Sequence, residues 1–313
     1  MKNNNRSLVS LLALLVCLVG CGVAAAAFFV PGRPSGPTLP AEENAYAADS
    51  AFFATAQWET TEYSGFSFKS LAVTDNRLFN SNQYFTLIEV PAGSPRRLAF
   101  AFAPDTLLPT SELALRTDAV AAVNGSFFDM SLFNPICYLR IDGREVGINT
   151  PGKTDTVNRK YYQYASLRLH DGKPRLFVPD SNRFAERSRP DSNIMTAGPM
   201  LIWRGKLVPQ RQDRTFVTYR HNRTAIGVRR DGSFVILAAD GRFKNYAAGL
   251  SLDELALVLK WLGCYNAINL DGGGSTTMFV RGRANLGIVN HPSDNGRFDF
   301  KGERPVSNAV LLL

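Results

Sequence analysis

The 313-residue sequence contains only three histidines and four cysteines. His170, His221 and His291 show no His-x-x-x-His or related spacing, so the pattern that builds a catalytic zinc site is missing. No serine stands in a Gly-x-Ser-x-Gly context; Gly274-Ser275-Thr276 departs from that nucleophile elbow. The glycine run Gly272-Gly273-Gly274 lacks the Gly-Lys-Ser/Thr ending of a P-loop, and no helix-forming stretch follows it. No dense Lys/Arg tract occurs, so nucleic acid is not an expected partner. The formal charge of +8 loses two units with Lys2 and Arg6, leaving a moderately basic body suited to anionic surfaces or a phosphate-bearing substrate. Cys17 and Cys21 fall in the apolar N-terminus. Cys137 and Cys264 alone make no disulfide framework and read as separate buried thiols, although an oxidising compartment would permit a pair.

What is present is the composition of a folded domain, 45% hydrophobic and 20% charged. Residues 1–30 read as an export or anchoring signal, because Lys2 and Arg6 precede Ser7 to Val30, a stretch without charge. That stretch is long enough to cross a hydrocarbon layer, which takes roughly 20 residues, with its basic flank in the cytoplasm. Leu18-Val19-Gly20-Cys21 also matches a lipoprotein cleavage box, although Gly22 to Val30 stay apolar. Simple secretion is a third reading. All three place the rest of the chain outside the cytoplasm, in the periplasm or at the cell surface, with the membrane as a partner of the N-terminal segment. Pro31, Pro34, Pro37 and Pro40 mark 31–51 as an extended spacer, and the domain is expected over 52–313.

Within it strands dominate. Gly65 to Val73, Asn82 to Val90 and Leu98 to Ala103 alternate in part, Thr110 to Thr117 reads as a short helix capped by Thr110 or Ser111, and Ala119 to Asn124 as a buried strand. Ile194 to Leu207, Ala225 to Val228 and Ser233 to Ala238 follow, the last two joined by a hairpin with Asp231-Gly232 at its tip. Ser251 to Leu262 is the clearest helix, capped by Ser251 and ended by Gly263; Ala267 to Leu270 and Met278 to Arg281 are further strands. The pattern predicts an α+β domain with mixed or antiparallel sheets and few helices, motif-bearing strand ends converging at one edge.

Three stretches carry chemistry. Asp271-Gly272-Gly273-Gly274-Ser275-Thr276-Thr277 follows a buried strand and offers a carboxylate, backbone N–H groups and hydroxyls at one point, an arrangement suited to a phosphate or a developing oxyanion. A turn alone needs only Asp-Gly. Asn124-Gly125-Ser126-Phe127-Phe128 offers an amide for sugar or phosphoryl oxygens and rings to stack on a sugar, or equally a hairpin turn with core phenylalanines. His221-Asn222-Arg223 leads through a hairpin into Asp240-Gly241-Arg242. Arg223 can grip a phosphate bidentately, while Arg242 alone reads as a solvated surface residue. No cofactor is implied; a calcium or magnesium ion on Asp271 and backbone carbonyls stays open.

The order of these motifs, continued by Gly198-Pro199, Gly249-Leu250-Ser251 and Glu303-Arg304-Pro305-Val306-Ser307-Asn308, resembles the phosphodiester glycosidase domain over about Leu98 to Leu313. The resemblance implies cleavage between an anomeric sugar carbon and a phosphate, with a carbohydrate phosphodiester as partner. It places Asn124, Arg223, Asp240, Asp271, Gly273, Ser275 and Arg304 around the substrate. On this expectation Arg223 and the Gly272, Gly273 and Gly274 amides hold the phosphate. Asp271 or Asp240 is nucleophile or base, Asn124 orients the sugar, and Ser275, Thr276, Arg242, Arg304, Phe127 and His221 complete the binding surface. A non-catalytic glycan-binding module would keep Phe127, Phe128 and Asn124 but would not need the carboxylate beside three glycines; a third reading is an exopolysaccharide or envelope assembly factor, in which the linker matters and catalysis is vestigial.

Overall fold

The computed structural model describes residues 45–151, 157, 159–210 and 214–313, Arg214 by its backbone only. In chain order the strands are β1 (Glu59–Tyr63), β2 (Phe66–Leu78), β3 (Ser81–Val90), β4 (Leu98–Phe102), β5 (Ala121–Asn124), β6 (Leu139–Ile141), β7 (Arg144–Gly147), β8 (Ala165–His170) and β9 (Lys173–Phe177). They continue with β10 (Asn193–Ala197), β11 (Met200–Trp203), β12 (Lys206–Leu207), β13 (Arg223–Val228), β14 (Phe234–Ala239), β15 (Asn266–Asn269), β16 (Met278–Val280) and β17 (Asn308–Leu312). They form an eight-stranded sheet in the order β1-β2-β3-β14-β13-β15-β11-β12, a five-stranded sheet β7-β6-β10-β8-β9 and a four-stranded sheet β16-β5-β17-β4. Every strand pairing among the described residues is antiparallel. The fold is therefore α+β, and of the two expected sheet types it takes the antiparallel one.

Both faces of the large sheet are covered, so its central strands are continuous apolar runs rather than alternating ones. All six residues of β14 are buried. Phe234, Ile236 and Ala238 join a core with Leu139, Leu167, Met195, Val123 and Val310 of the two smaller sheets. Val235, Leu237 and Ala239 face Leu252, Leu255 and Leu259 of the helix Leu252–Trp261. That helix starts as its sequence directs: Glu254 N donates to Ser251 Oγ at 3.1 Å and Ser251 N donates to Glu254 Oε2 at 2.9 Å, a closed capping box. It stops before Gly263, at φ +82°. A third cluster lies under the helix Thr110–Leu115, against Ala122, Ala309 and Leu311.

Three expectations are corrected. Ile194 to Leu207 is three strands, not one: Pro199 has no N–H for a ladder and Arg204-Gly205, both at positive φ, turn the chain into β12. The helix Thr110–Leu115 is capped by neither Thr110 nor Ser111; its N-cap is Pro109, and the Glu303 carboxylate, 192 residues away, accepts from Ser111 N at 2.8 Å and Ser111 Oγ at 2.6 Å. Part of the expected spacer, residues 47–51, belongs to the helix Ala47–Thr55. Tyr46 and Phe53 anchor that helix against Phe79, Trp58 and Trp261, and Asp49 Oδ1 accepts from Phe79 N at 2.6 Å. Phe66 to Val90, which precede the resemblance, complete the central sheet, with β3 paired along β14 from Phe234↔Val90 to Ala239↔Phe85. Cys137 and Cys264 are buried free thiols. The signal at residues 1–30 and the proline spacing lie outside the described residues, among which no helix is long and apolar enough to cross a membrane.

Candidate active site

Register alone brings the chemistry-bearing ends together. Arg223, at the start of β13, pairs with Ala239 at the end of β14, and Ala225 pairs with Asn269 at the end of β15. Asp240 and Asp271, each just beyond its strand, therefore emerge at the edge where β13 begins. The Asn124 motif reaches the same edge from the four-stranded sheet: Asp271 N donates to Gly125 O at 3.1 Å, and Asn124 Nδ2 donates to Asp271 O at 2.7 Å. These bonds fix the Asp271 backbone from both sides. Gly125 leaves the room, since a Cβ there would overlap Asn308 Oδ1, which accepts from Ser126 N at 2.7 Å.

Asp271 keeps partial contact with solvent, but its carboxyl is surrounded by protein, and that desolvation pushes its pKa from 3.8 up to about 6. The Ser275 hydroxyl, the Gly272 N–H and the Arg304 charge oppose the shift in part. Only the Gly272 N–H forms a geometric hydrogen bond, to Oδ1 at 2.9 Å. Ser275 Oγ sits beside the carboxylate, buried and without a partner, as does Thr277 Oγ1 elsewhere in the loop.

The glycines serve a different purpose from the expected amide nest. Gly272 N is occupied by Asp271, Gly273 N donates to Asn222 O at 2.8 Å, and the Ser275 and Thr276 N–H groups close the turn onto Gly272 and Gly273. Gly274 N–H alone in the loop has no acceptor among the described residues. What the bare backbone admits is cations. A Cβ on Gly273 would lie 2.7 Å from Arg242 Nη2, and one on Gly274 would overlap Arg304 Nη2. Arg304 is held there by Asp294, Nε to Oδ1 at 2.8 Å, and Arg242 by a backbone at φ +69°. Arg242 is exposed, as its sequence suggests, but its guanidinium lies against the glycine loop.

Arg223 is corrected as a bidentate clamp. It is buried, with Nε donating to Leu250 O at 2.9 Å and Nη2 to Phe216 O at 2.7 Å and Tyr219 O at 3.0 Å. Burial lowers its pKa to about 10, and the Arg242 charge adds to the lowering. His221 lies near both arginines; burial, then Arg223 and Arg242, depress its imidazole. The amide of Asn124 likewise faces protein, its Oδ1 accepting from Thr224 Oγ1 at 2.8 Å and Thr277 N at 3.3 Å; it braces Asp271 rather than offering itself to a sugar. Thr276, fully buried, lends its carbonyl to Asn290 Nδ2 at 3.1 Å. Phe127 is half-buried and joins an aromatic group, 5.0 Å from Tyr162 and 6.0 Å from Phe216, whose ring also lies under Arg223.

Asp240 is fully buried and both oxygens are engaged: Oδ1 accepts from Asn290 Nδ2 at 2.9 Å, and Oδ2 accepts from His291 N at 2.9 Å and pairs with His291 Nδ1 at 2.8 Å. Burial raises its pKa, and the His291 contacts pull it back. Sequence reasoning missed His291 in this role, because a histidine outside metal spacing gives no sign of a carboxylate partner 51 residues away. Among the described residues no group of three or more His, Cys, Asp or Glu is placed to hold a metal ion, and the charge acting on the Asp271 carboxyl is that of Arg304.

The strand ends thus bring the Asp271 carboxylate to the glycine loop against which Arg242 and Arg304 lie. The chain belongs to the phosphodiester glycosidase family, whose model it matches over residues 117–313. It is 40% identical over 98 residues to the N-acetylglucosamine-1-phosphodiester alpha-N-acetylglucosaminidase of Mus musculus and 41% identical over 98 residues to that of Homo sapiens, in each case 31% of this chain. The matched segment spans only 18% of those relatives. In fold it is similar to the zebrafish catalytic domain of that name, auto-inhibited by its pro-peptide, with TM-score 0.60 and 20% identity over 82% of this chain and 88% of that one. A hypothetical protein from Synechocystis is similar in fold too, with TM-score 0.58 and 17% identity over 82% of this chain and 63% of that one.

Proposed function

We propose that this chain hydrolyses the bond between an anomeric carbon and phosphate in a sugar-1-phosphodiester, outside the cytoplasm, tethered through residues 1–30. The observation that carries the reading is Asp271, a carboxylate braced through its backbone and held near pKa 6 by desolvation, beside Arg304 and below the loop that seats Arg242. A glycan-binding surface has no need of such a group.

Arg242 and Arg304 face the phosphate, and the Gly274 N–H adds a donor. Charge that develops on the phosphate as the C–O bond breaks then meets two guanidinium groups, Arg304 held by Asp294 and Arg242 exposed beside Gly273. Asp271 stands on the sugar side, ionised at neutral pH, as nucleophile or base at the oxocarbenium-like carbon. Asp240, buried with both oxygens engaged, is a positioning group in this scheme and not the nucleophile. Phe127 supplies an apolar wall for the sugar.

The first substrate to test is an α-linked N-acetylglucosamine 1-phosphodiester, the class named for the relatives, followed by other sugar phosphodiesters. The purified chain should release phosphate monoester; Arg242→Ala and Arg304→Ala should raise KM, and Asp271→Asn should abolish kcat. Full turnover by Asp271→Asn, or no turnover of any member of the panel by the parent protein, overturns the proposal. Fractionation of cells expressing the chain tests the location, which a cytosolic product would refute.

A further inference from the structure

The Asp240–His291 pair has no place in the scheme above beyond bracing, yet its geometry is that of a prepared proton donor. Nδ1 of His291 is fixed on Asp240 Oδ2 at 2.8 Å. The ring is clasped by Phe298, stacked at 3.8 Å between centroids, by Phe300 at 4.5 Å and by the edge of Tyr84 at 4.7 Å. Rotation of the imidazole is thereby blocked. Nε2 has no partner among the described residues, and the side chain keeps 10% of its surface open, so the one free nitrogen meets solvent.

The pair also lies on the phosphate side. Asn290 ties Asp240 to Thr276 of the glycine loop. Ser293, two residues beyond His291, contacts the Asn222 side chain at 3.1 Å, while Asn222 O receives Gly273 N. Asp294 holds Arg304 over Gly274. Tyr246, from the loop that carries Arg242, stacks on Phe298 at 4.8 Å, making a three-ring pile of Tyr246, Phe298 and His291.

We infer that His291 is the general acid for the departing phosphate, with Asp240 as its positioning residue. This rests on the phosphodiesterase reading of the site. As the bond from the anomeric carbon to the bridging oxygen breaks, its electron pair moves onto that oxygen, which takes the proton from Nε2. The imidazole becomes neutral while Nδ1–H stays on Asp240. Water adds to the anomeric carbon, and its proton passes to Asp271 and then to solvent, from which Nε2 is recharged. The match is chemical: the conjugate acid of the leaving phosphate monoester dianion has a pKa of about 6, within the range an imidazolium serves, and far below that of an ordinary sugar alcohol. Because that anion leaves well by itself, the contribution should sit at the low end of the general-acid range, about 100-fold.

The test compares the parent chain with His291→Gln on a sugar-1-phosphodiester and on the corresponding glycosyl fluoride, whose leaving group departs without a proton. The expected result is kcat lower by about 100-fold on the phosphodiester, KM within about twofold, and near-parental rates on the fluoride. The alkaline limb of the parent kcat profile should vanish in the variant. Asp240 and Tyr84, the titratable groups packed on the ring, remain in place, and Tyr84→Phe should keep the limb. Equal phosphodiester rates for parent and variant overturn the assignment and leave the proposed function standing. Equal losses on both substrates make His291 structural and overturn it too. A parent chain inert on the phosphodiester removes the proposed function and this assignment with it.

Discussion

Asp271→Asn should leave the protein more stable while ending turnover. Raising the carboxyl from 3.8 to about 6 means that ionising it in the fold costs about 3 kcal/mol more than in the unfolded chain. Because the folded value is the higher one, the folded state holds the extra proton between those limits. The group's contribution is fully favourable below about pH 4 and is lost as pH rises through about 6. An asparagine is neutral at every pH and can still accept from Gly272 N. Its second half, however, turns N–H donors toward Arg304, so a net gain of about 2–3 kcal/mol above pH 7 is expected rather than the whole amount. For a chain of this size that is about 4–12 °C in melting midpoint. Urea unfolding of both proteins at pH 4.5 and pH 8 measures it: the gap should be small at the lower pH and open at the higher. A variant less stable than its parent at pH 8, or a gap indifferent to pH, refutes the view that desolvation sets this carboxyl.

Three further changes probe other parts of the argument. Gly274→Ala should lower kcat/KM by at least about tenfold, because its Cβ displaces Arg304; the obstruction is the end of a side chain, so the melting midpoint should move by only about 2–4 °C. An unaltered kcat/KM removes Arg304 from the phosphate site. Asn124→Ala deprives Asp271 O, Thr224 Oγ1 and Thr277 N of partners, and should cost about 2–4 kcal/mol in chemical denaturation as well as activity; a loss below about 1 kcal/mol would mean that the brace is dispensable. Ser251→Ala opens the capping box and should cost about 1 kcal/mol with kcat unchanged, so a fall in kcat would show that this helix reports to the site.

The local rules that were legible in the chain are those in which a residue acts on its own neighbours. Ser251 caps its helix because Glu254 is three residues on, Gly263 ends it, and the Asp231-Gly232 hairpin forms where the turn chemistry stands. Apolar runs such as Phe234–Ala239 announced strands wherever burial on both faces left no polar position. The rules failed where a distant group replaces the local one. Glu303 caps the helix Thr110–Leu115 in place of Thr110 or Ser111, and Tyr46 and Phe53 recruit 47–51 into a helix by finding Phe79, Trp58 and Trp261.

The candidate site divides in the same way. The sequence by itself determined the inventory: a carboxylate before three glycines, an Asn-Gly after a small-residue strand, arginines at strand ends, and a motif order shared with the phosphodiester glycosidases. Tertiary structure decided which atoms of that inventory stay available. A polar group already bonded within the protein has less left to offer a ligand, and the partner that takes it up can lie far off in the chain, as Asn308 lies 182 residues from Ser126. Leu250, Phe216 and Tyr219 take up Arg223; His291 and Asn290 take up Asp240; Asn222 takes up an amide expected to hold phosphate. Gly273 and Gly274 look like amide donors in the chain and act as clearance for Arg242 and Arg304 in the fold, because the absence of a side chain is local while what fills the gap is not.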